Sequence, residues 1–371
     1  MLKSNSYDMQ KIKSCKNKRE LFSYISSVYR DERQKILEVN ELTLGGITMK
    51  FTWKICGSKP EEGFPLYIGL HGGGGCDKDV NDEQWENHKN LYDIECGIWF
   101  TPRAPEDCWN MWHKSYIDDM LDYIIQTFLM LEWVDPNLVY LTGYSAGGDG
   151  VYKLGPRMAD RWAGCAMCAG HPNGAEVINL RNTFMALQVG AQDSPYDRNK
   201  LCLQYGDKID ALKQNDPNGY DYFCKVHEGC GHWMNKKESV FLDMFNSKIR
   251  NPYPKYIIWK QCNDVLKSNF YWLEIPKDKQ NYGSQVEANI ENNFINITTK
   301  DYDEVIVNLN EKLIDYNRDI QVKFNNSQIF QQRVFEDINL MVKSVERRFD
   351  PYLVFGTRFS ISMKGIGNPR D

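Results

Sequence analysis

The stretch Gly-Tyr-Ser-Ala-Gly at 143–147 constrains the fold most, because it places a serine where a strand must turn sharply into a helix. The apolar, β-favouring residues 138–142 precede it, and a segment able to open a helix follows. Glycines on both sides suit a serine in a strained backbone conformation, since a side chain at 143 or 147 would collide with the neighbouring strand or helix. The pattern predicts that Ser145 is an exposed nucleophile, with a tight glycine turn of no chemical role as the alternative.

Composition excludes several classes of protein. The 371 residues suit two domains better than one core, and a net charge of −5 with interspersed signs argues against a nucleic-acid partner. Apolar runs fall short of the ~20 residues that span a bilayer, so no membrane partner is expected. The first residues lack the apolar core of a secretion signal, and 11 cysteines follow no framework spacing. We therefore expect reduced thiols and a cytoplasmic protein.

Three regions of the chain differ in their pattern. Residues 1–40 are charged and carry apolar residues at helical spacing, which predicts one or two amphipathic helices. Residues 41–250 alternate β-favouring runs with helical stripes, which predicts an α/β domain with a mostly parallel sheet flanked by helices. After the prolines at 252 and 254, short β-rich runs predict a smaller antiparallel β-sandwich over 251–371, with one helix near 337–348.

A serine hydroxyl needs a base to take its proton, and the base needs a carboxylate to orient it. Asp193 follows a predicted strand by a short loop and is the preferred acid, while Asp197 is the competitor. His232 lies in a glycine-rich loop after the last predicted strand of this region and is the preferred base. His227, at the end of that strand, is the alternative base, although its position favours a packed or capping role.

Four glycines at 72–75 directly follow a short predicted strand. Such a run frees the backbone to point N–H groups at one spot, which is typical of a loop that stabilises an oxyanion. Gly73 and Gly74 are the candidate donors, and the amide of Ala146, next to the serine, is the expected second donor. A phosphate-binding loop is disfavoured because no Gly-Lys-Ser or Gly-Lys-Thr follows.

Aromatic residues near the predicted strand ends are candidates for substrate binding, although packing in the core explains them equally well. These candidates are Trp85, Trp109, Trp112, His113, Tyr144 and Trp233.

Two patterns containing cysteine could suggest a metal or redox site. The spacing of Cys224, His227, Cys230 and His232 fits no usual set of zinc ligands, and part of it lies in a strand whose side chains alternate between faces. Cys165 and Cys168 lie within a predicted strand and are expected to be small core residues. We therefore predict no metal and no cofactor.

With these residues, the positions up to 250 resemble the α/β-hydrolase superfamily and, within it, the esterase and polyhydroxyalkanoate-depolymerase-like branch that includes predicted peptidases. The motifs concerned are His-Gly-Gly-Gly at 71–74, Asn-Asp-x-Gln-Trp at 81–85, Trp-Asn-x-Trp-His at 109–113, Gly-Tyr-Ser-Ala-Gly-Gly-Asp-Gly at 143–150, Gly-His-Pro-Asn at 170–173 and Gly-His-Trp at 231–233. Residues 270–273 and 348–351 extend the resemblance into an appended β domain. It implies serine-dependent hydrolysis with Ser145, Asp193 and His232 as the triad.

The sequence thus predicts a serine hydrolase that cleaves carboxylic esters through an acyl-enzyme on Ser145. A small-molecule or polymeric ester is the only expected partner, and oligomeric state is left open. A peptidase with the same triad and a non-catalytic binding or scaffold protein are the alternatives, since a fold does not prove a function.

Overall fold

The computed structural model describes residues 7–262 and 264–369. The α-helices in this part are α1 (Met9–Ser14), α2 (Lys18–Ser27), α3 (Arg30–Val39), α4 (Lys78–Lys89), α5 (Ser115–Met130), α6 (Ala146–Arg157), α7 (Arg198–Asn215), α8 (Val240–Phe245) and α9 (Ile338–Arg348). Short 3₁₀ turns lie at Ile178–Asn182, Pro195–Asp197, Lys237–Ser239 and Lys277–Lys279. Within these described ranges, none of the helices combines the length and the apolar character needed to cross a bilayer.

The strands alternate with helices up to α8 and then follow one another. They are β1 (Glu41–Leu44), β2 (Ile47–Cys56), β3 (Phe64–Leu70), β4 (Gly97–Pro102), β5 (Val134–Tyr144), β6 (Gly164–Cys168), β7 (Phe184–Gly190), β8 (Tyr222–His227), β9 (Tyr256–Lys260), β10 (Asn269–Phe270), β11 (Leu273–Glu274), β12 (Gln285–Glu291), β13 (Phe294–Lys300), β14 (Glu304–Leu309), β15 (Ile320–Phe324), β16 (Ser327–Gln332), β17 (Thr357–Ser362) and β18 (Gly365–Gly367). This order separates an α/β region from a β-rich region.

The first eight strands form one sheet in the order β1-β2-β4-β3-β5-β6-β7-β8. β2 runs antiparallel to β4, and every neighbouring pair from β4 across to β8 is parallel. The carboxyl ends of the parallel strands therefore share one edge, where the loops of the site meet. The predicted mostly parallel sheet is confirmed.

Both faces of this sheet are covered. Leu66, Ile68 and Leu70 of β3 pack in one hydrophobic cluster with α5 and α6, while Tyr67 between them belongs to a second cluster on the opposite face. Alternate residues of a strand point to opposite faces, so the two clusters are the two sides of one sheet. A sheet buried on both faces gives the site loops a rigid base.

The N-terminal segment contains three helices, so the prediction of one or two is wrong in number. The Asn17 side chain accepts a hydrogen bond from the Glu20 amide and starts α2 as a separate helix. Leu21 and Ile25 of α2 are buried in the main core. The segment also reaches the far end of the chain, since the Tyr7 hydroxyl donates to Glu346 at 2.8 Å.

The β-rich region consists of two five-stranded sheets, ordered β10-β11-β14-β17-β18 and β16-β15-β13-β12-β9. Their strands pair antiparallel except for β13 and β15, which are parallel. The predicted β-sandwich and its helix, α9, are confirmed. The sequence predicts a β-rich run over 352–362, but residues 352–356 are irregular, and strands β16 and β18 lie outside the predicted runs.

Buried ion pairs connect the α/β region to the β-rich region. Asp350, two residues after the end of α9, accepts from Arg250 Nη1 at 2.8 Å and lies 3.3 Å from Arg161 Nη1. Arg348, the last residue of α9, bonds Asp160 at 2.5 Å. Charges this deeply buried must be paired, so the two regions depend on each other for these contacts.

Candidate active site

Ser145 occupies the turn between β5 and α6 in a strained conformation, with φ 57° and ψ −122°. A Cβ on Gly143 would lie 2.2 Å from the Gly147 carbonyl oxygen, and one on Gly147 would lie 2.0 Å from the Leu70 carbonyl oxygen. Both flanking positions therefore require glycine, as the sequence predicts. The Ser145 amide donates to the Cys168 carbonyl at 2.9 Å, which ties the turn to β6.

Three side chains from separate loops form a continuous hydrogen-bonded chain at the carboxyl edge of the sheet. The Ser145 hydroxyl lies 2.9 Å from His232 Nε2, and His232 Nδ1 lies 2.8 Å from Asp193 Oδ2. Asp193 is fully buried, so its carboxylate holds the imidazole with Nδ1–H donating and Nε2 directed at the hydroxyl. Arg198 Nη1 lies 3.8 Å from the other carboxylate oxygen and adds a positive charge beneath the acid.

The two alternative residues lie outside this chain of hydrogen bonds. Asp197 has an exposed side chain that pairs with Lys200 at 2.7 Å. His227 is buried and its Nε2 lies 2.9 Å from Gln188 Oε1, and burial lowers the pKa of its imidazole. The geometry therefore brings together the preferred trio, and His227 has the packed position expected for it.

The glycine loop lies against the serine, but it presents one amide fewer than predicted. The Gly74 amide donates to Asn81 Oδ1 at 2.8 Å, so the prediction of Gly74 as an oxyanion donor is wrong in this structure. Within the described residues, the amides of Gly73 and Ala146 have no such partner. Gly73, with φ 101°, is therefore the donor candidate that remains on the loop.

Two buried polar side chains, which the sequence motifs contain but to which no role was predicted, hold this loop. Asn81 is fully buried, and besides accepting from Gly74 it donates to the Gly74 carbonyl at 3.0 Å and to Asp107 at 2.9 Å. His71 donates from Nδ1 to the Gly72 carbonyl at 2.6 Å, because its Nε2 accepts from the Ala104 amide at 3.1 Å. Burial lowers the pKa of His71 to about 4, so this histidine stays neutral and structural.

A cleft of about 900 Å³ opens beside Ser145 and His232. One wall is the face of α4 that carries Val80, Gln84 and Asn87, and Trp233 with Lys236 forms the other. Tyr144 and Trp233 are thus the two predicted substrate-binding residues that line the cleft.

The other predicted substrate-binding residues lie elsewhere. Trp112 is buried and donates from Nε1 to the His71 carbonyl at 3.0 Å, so its assignment to the pocket is wrong. Trp85 donates to the Thr101 carbonyl at 3.0 Å and is covered by Lys89, outside the cleft lining. Trp109 is exposed beside the glycine loop, and its ring packs edge-on against the buried His113. Sequence spacing could not separate these cases, because an indole packs equally well in a core and in a pocket.

The cysteines and histidines considered for metal binding are spread over different environments. Cys165 and Cys168 are fully buried in β6, as expected of core residues, and burial raises the pKa of both thiols. Among the residues that the structure describes, there is no group of three or more His, Cys, Asp or Glu side chains arranged around a metal position.

A mostly parallel sheet with a serine at its strand-to-helix turn, followed along the chain by aspartate and histidine, is the α/β-hydrolase fold. No family model matches the sequence, and no curated protein matches it either. Solved structures with a similar fold include the BES protein from Bacillus cereus, at 10% identity over 55% of this chain and 91% of that chain, with a TM-score of 0.41.

Two further structures are similar over about the same part of the chain. LpqC, a poly(3-hydroxybutyrate) depolymerase from Bordetella parapertussis, is 12% identical over 56% of this chain and 87% of its own, with a TM-score of 0.39. An acetyl xylan esterase from Aspergillus awamori is 11% identical over 53% of this chain and 94% of its own, with a TM-score of 0.38. Because these identities and TM-scores are low, the fold assignment rests on the strand order and the serine turn.

Proposed function

We propose that this chain is a serine hydrolase that cleaves carboxylic esters through an acyl-enzyme on Ser145. The observation that carries the proposal is the unbroken chain of hydrogen bonds from Ser145 through His232 to Asp193, at 2.9 and 2.8 Å. It ends at an open cleft, where a substrate carbonyl can approach the hydroxyl. A serine aligned with a base that is itself oriented by a buried acid is the arrangement that activates a nucleophile.

The reaction follows from these positions. The Ser145 oxygen attacks the ester carbonyl carbon while His232 Nε2 takes the hydroxyl proton, and Asp193 stabilises the imidazolium. The amides of Gly73 and Ala146 receive the oxyanion, each contributing on the order of 3 kcal/mol. Collapse of the tetrahedral intermediate expels the alcohol, which takes its proton from Nε2. Water then attacks the acyl-enzyme by the same route and releases the carboxylic acid.

The cleft has room for esters of different sizes. It is open to solvent on one side and lined by both apolar and amide side chains, so a small ester or the end of a polymer could enter. We propose esters rather than peptides as substrates because an alkoxide is a better leaving group than an amine. The same triad acting on peptide bonds would make the protein a peptidase.

The test is labelling with a fluorophosphonate probe and hydrolysis of p-nitrophenyl acetate. We expect Ser145→Ala to abolish both, while Ser194→Ala, an exposed serine one residue after the acid, retains both. Equal labelling and turnover in Ser145→Ala would contradict the proposal. A panel of peptides run beside the esters would identify a peptidase by faster peptide cleavage.

A further inference from the structure

The Tyr144 hydroxyl has both of its hydrogen-bonding functions occupied by the loop that carries His232. It donates to the His232 carbonyl at 2.7 Å and accepts from the Met234 amide at 2.9 Å. Met234 is fully buried, so water cannot replace the partner of its amide. One side chain therefore bonds the backbone on both sides of Trp233.

This hydroxyl bridges the two loops that must meet for proton transfer. Tyr144 is the last residue of β5, directly before Ser145, so its ring is fixed by the same strand that presents the nucleophile. The ring packs edge-on against the His232 imidazole, with centroids 6.0 Å apart, and tilts against Trp233 at 5.5 Å. Burial raises the pKa of the Tyr144 hydroxyl, so it stays protonated and able to donate.

Residues 228–236 form the loop that carries His232, called the histidine loop below. Apart from the Tyr144 hydroxyl, few groups of other segments form hydrogen bonds with its backbone. The Gln192 amide donates to the Cys230 carbonyl at 2.9 Å and connects the loop to the acid side of the site. Gly229, Asn235 and Lys236 have positive φ angles, so the backbone there follows a tight, irregular path. The side chains of His232 and Trp233 are themselves exposed, and burial contributes little to holding them.

We propose that Tyr144 is a positioning residue for the base, in that its hydroxyl fixes the backbone of His232 at the distance from Ser145 that proton transfer requires. The inference rests on the proposed function, and it assigns Tyr144 a role different from the substrate contact that the sequence predicts. The ring still lines the cleft, but the hydroxyl is engaged by the His232 carbonyl and the Met234 amide.

The consequence of removing the hydroxyl can be stated in terms of geometry. Tyr144→Phe keeps the ring and leaves the Met234 amide and the His232 carbonyl without their partner. The histidine loop then gains freedom, and a displacement of about 1 Å between reacting groups can cost on the order of 100-fold in rate. Because the phenylalanine ring keeps the wall of the cleft in place, KM should change much less than kcat.

The experiment compares Tyr144→Phe with Tyr140→Phe in the full chain. Tyr140 lies on the same strand, and its buried hydroxyl also bonds backbone, lying 2.9 Å from the Phe245 carbonyl and 2.7 Å from the Lys248 carbonyl. With p-nitrophenyl acetate, we expect kcat to fall about 10- to 100-fold in Tyr144→Phe and to stay within twofold of wild type in Tyr140→Phe. Fluorophosphonate labelling should slow in parallel with kcat.

Hydrogen exchange supplies a readout that a general loss of stability would not reproduce. In Tyr144→Phe, amides in the peptide 228–236 should exchange about 2- to 10-fold faster, because the Met234 amide has lost its acceptor. The same peptide in Tyr140→Phe should exchange as in wild type. Unchanged exchange in Tyr144→Phe, or a kcat within twofold of wild type, would overturn the inference.

Failure of the proposed function has a different signature. If wild type and Ser145→Ala hydrolyse esters equally, the nucleophile is wrong and the role of Tyr144 fails with it. If Ser145→Ala is inactive and Tyr144→Phe is fully active, the proposed function stands and this inference alone is overturned.

Discussion

The proposed triad and the interface between the α/β and β-rich regions each contain a fully buried aspartate, but the partners differ. Asp193 bonds His232, whose side chain is 42% exposed. Asp350 bonds Arg161 and Arg250, whose side chains are 3% and 1% exposed. His232 of the first pair lines the cleft, whereas both partners of the second lie buried between two regions.

The difference concerns the permanence of charge. Histidine can gain and lose a proton near neutral pH, whereas arginine stays charged, so the side chain that hydrogen-bonds Asp193 is positive only while His232 holds a proton. Burial acts to raise the pKa of Asp350, but the charges of Arg250 and Arg161 outweigh it and hold that pKa below its usual range. The proposed triad therefore accommodates a partner whose charge changes, whereas the interface depends on partners whose charge is fixed.

The largest effect is expected at the triad. Asp193→Asn removes the carboxylate that orients His232, and kcat for ester hydrolysis should fall about 10⁴-fold with the fold intact. Asp197→Asn is the matched control, because Asp197 lies four residues on and is exposed, and its kcat should equal that of wild type. Steady-state kinetics on both variants measures this. If kcat falls in Asp197→Asn and not in Asp193→Asn, then Asp197 is the acid.

The next effect is on stability. Asp350→Asn leaves Arg161 and Arg250 buried without their counter-charge, and the free energy of unfolding should fall by about 3–5 kcal/mol. Asp221→Asn removes an exposed partner of Lys248 and should cost less than about 1 kcal/mol. Urea denaturation of both variants measures this, and equal losses would show that the interface pairs contribute no more than surface ones.

A smaller effect is expected at the glycine loop. Asn81→Asp keeps the acceptor for the Gly74 amide but loses the donor to the Gly74 carbonyl and places a carboxylate beside Asp107. The loop should shift and weaken the oxyanion site, lowering kcat about 10- to 100-fold. Glu83→Gln, exposed on the same helix, is the control for a change of charge. If kcat is unaffected, the loop does not need Asn81 to present its amides.

The smallest effect appears on mild acidification. Arginines hold the pKa values of Asp160 and Asp350 below the usual range despite burial, so both groups bind protons more weakly in the folded state than in the unfolded one. Their stabilisation is full above the unfolded pKa of about 3.9 and is lost as pH falls through the lower folded values, at about 1.4 kcal/mol per pKa unit of difference. Urea midpoints from pH 6 to 3 should therefore drop, and less steeply in Asp350→Asn.

The sequence predicts which three side chains come together, Ser145, His232 and Asp193, because its signals are local. Glycines at 143 and 147 are required by contacts of about 2 Å, and the chain order of strand ends brings Asp193 and His232 to the same sheet edge. The shorter loop after the strand favours Asp193 over Asp197 as the acid. In the structure, the Asp193 side chain is buried and the Asp197 side chain is exposed.

The sequence could not predict the features that depend on which individual atoms form hydrogen bonds and which side chains are buried. In the sequence, Gly73 and Gly74 are equivalent candidates for an oxyanion donor. In the structure, the Gly74 amide donates to the Asn81 side chain instead. Trp112 and Trp233 have the same chemistry, yet one is enclosed beside His71 and the other lines the cleft. The edge strand β16 lies outside the predicted runs because four of its six residues are polar, a composition that suits a sheet edge but is also typical of a loop.

The attachment of the N-terminal helices to the region around α9 has a consequence for synthesis on the ribosome. Tyr7 bonds Glu346, Lys18 bonds Glu336 at 3.0 Å, and the Tyr29 ring packs on Phe349 at 5.4 Å. These partners leave the exit tunnel more than 300 residues after Tyr7 and Lys18 do. The nascent chain therefore carries a helical segment without its final docking surface for most of translation, when chaperones have access to it.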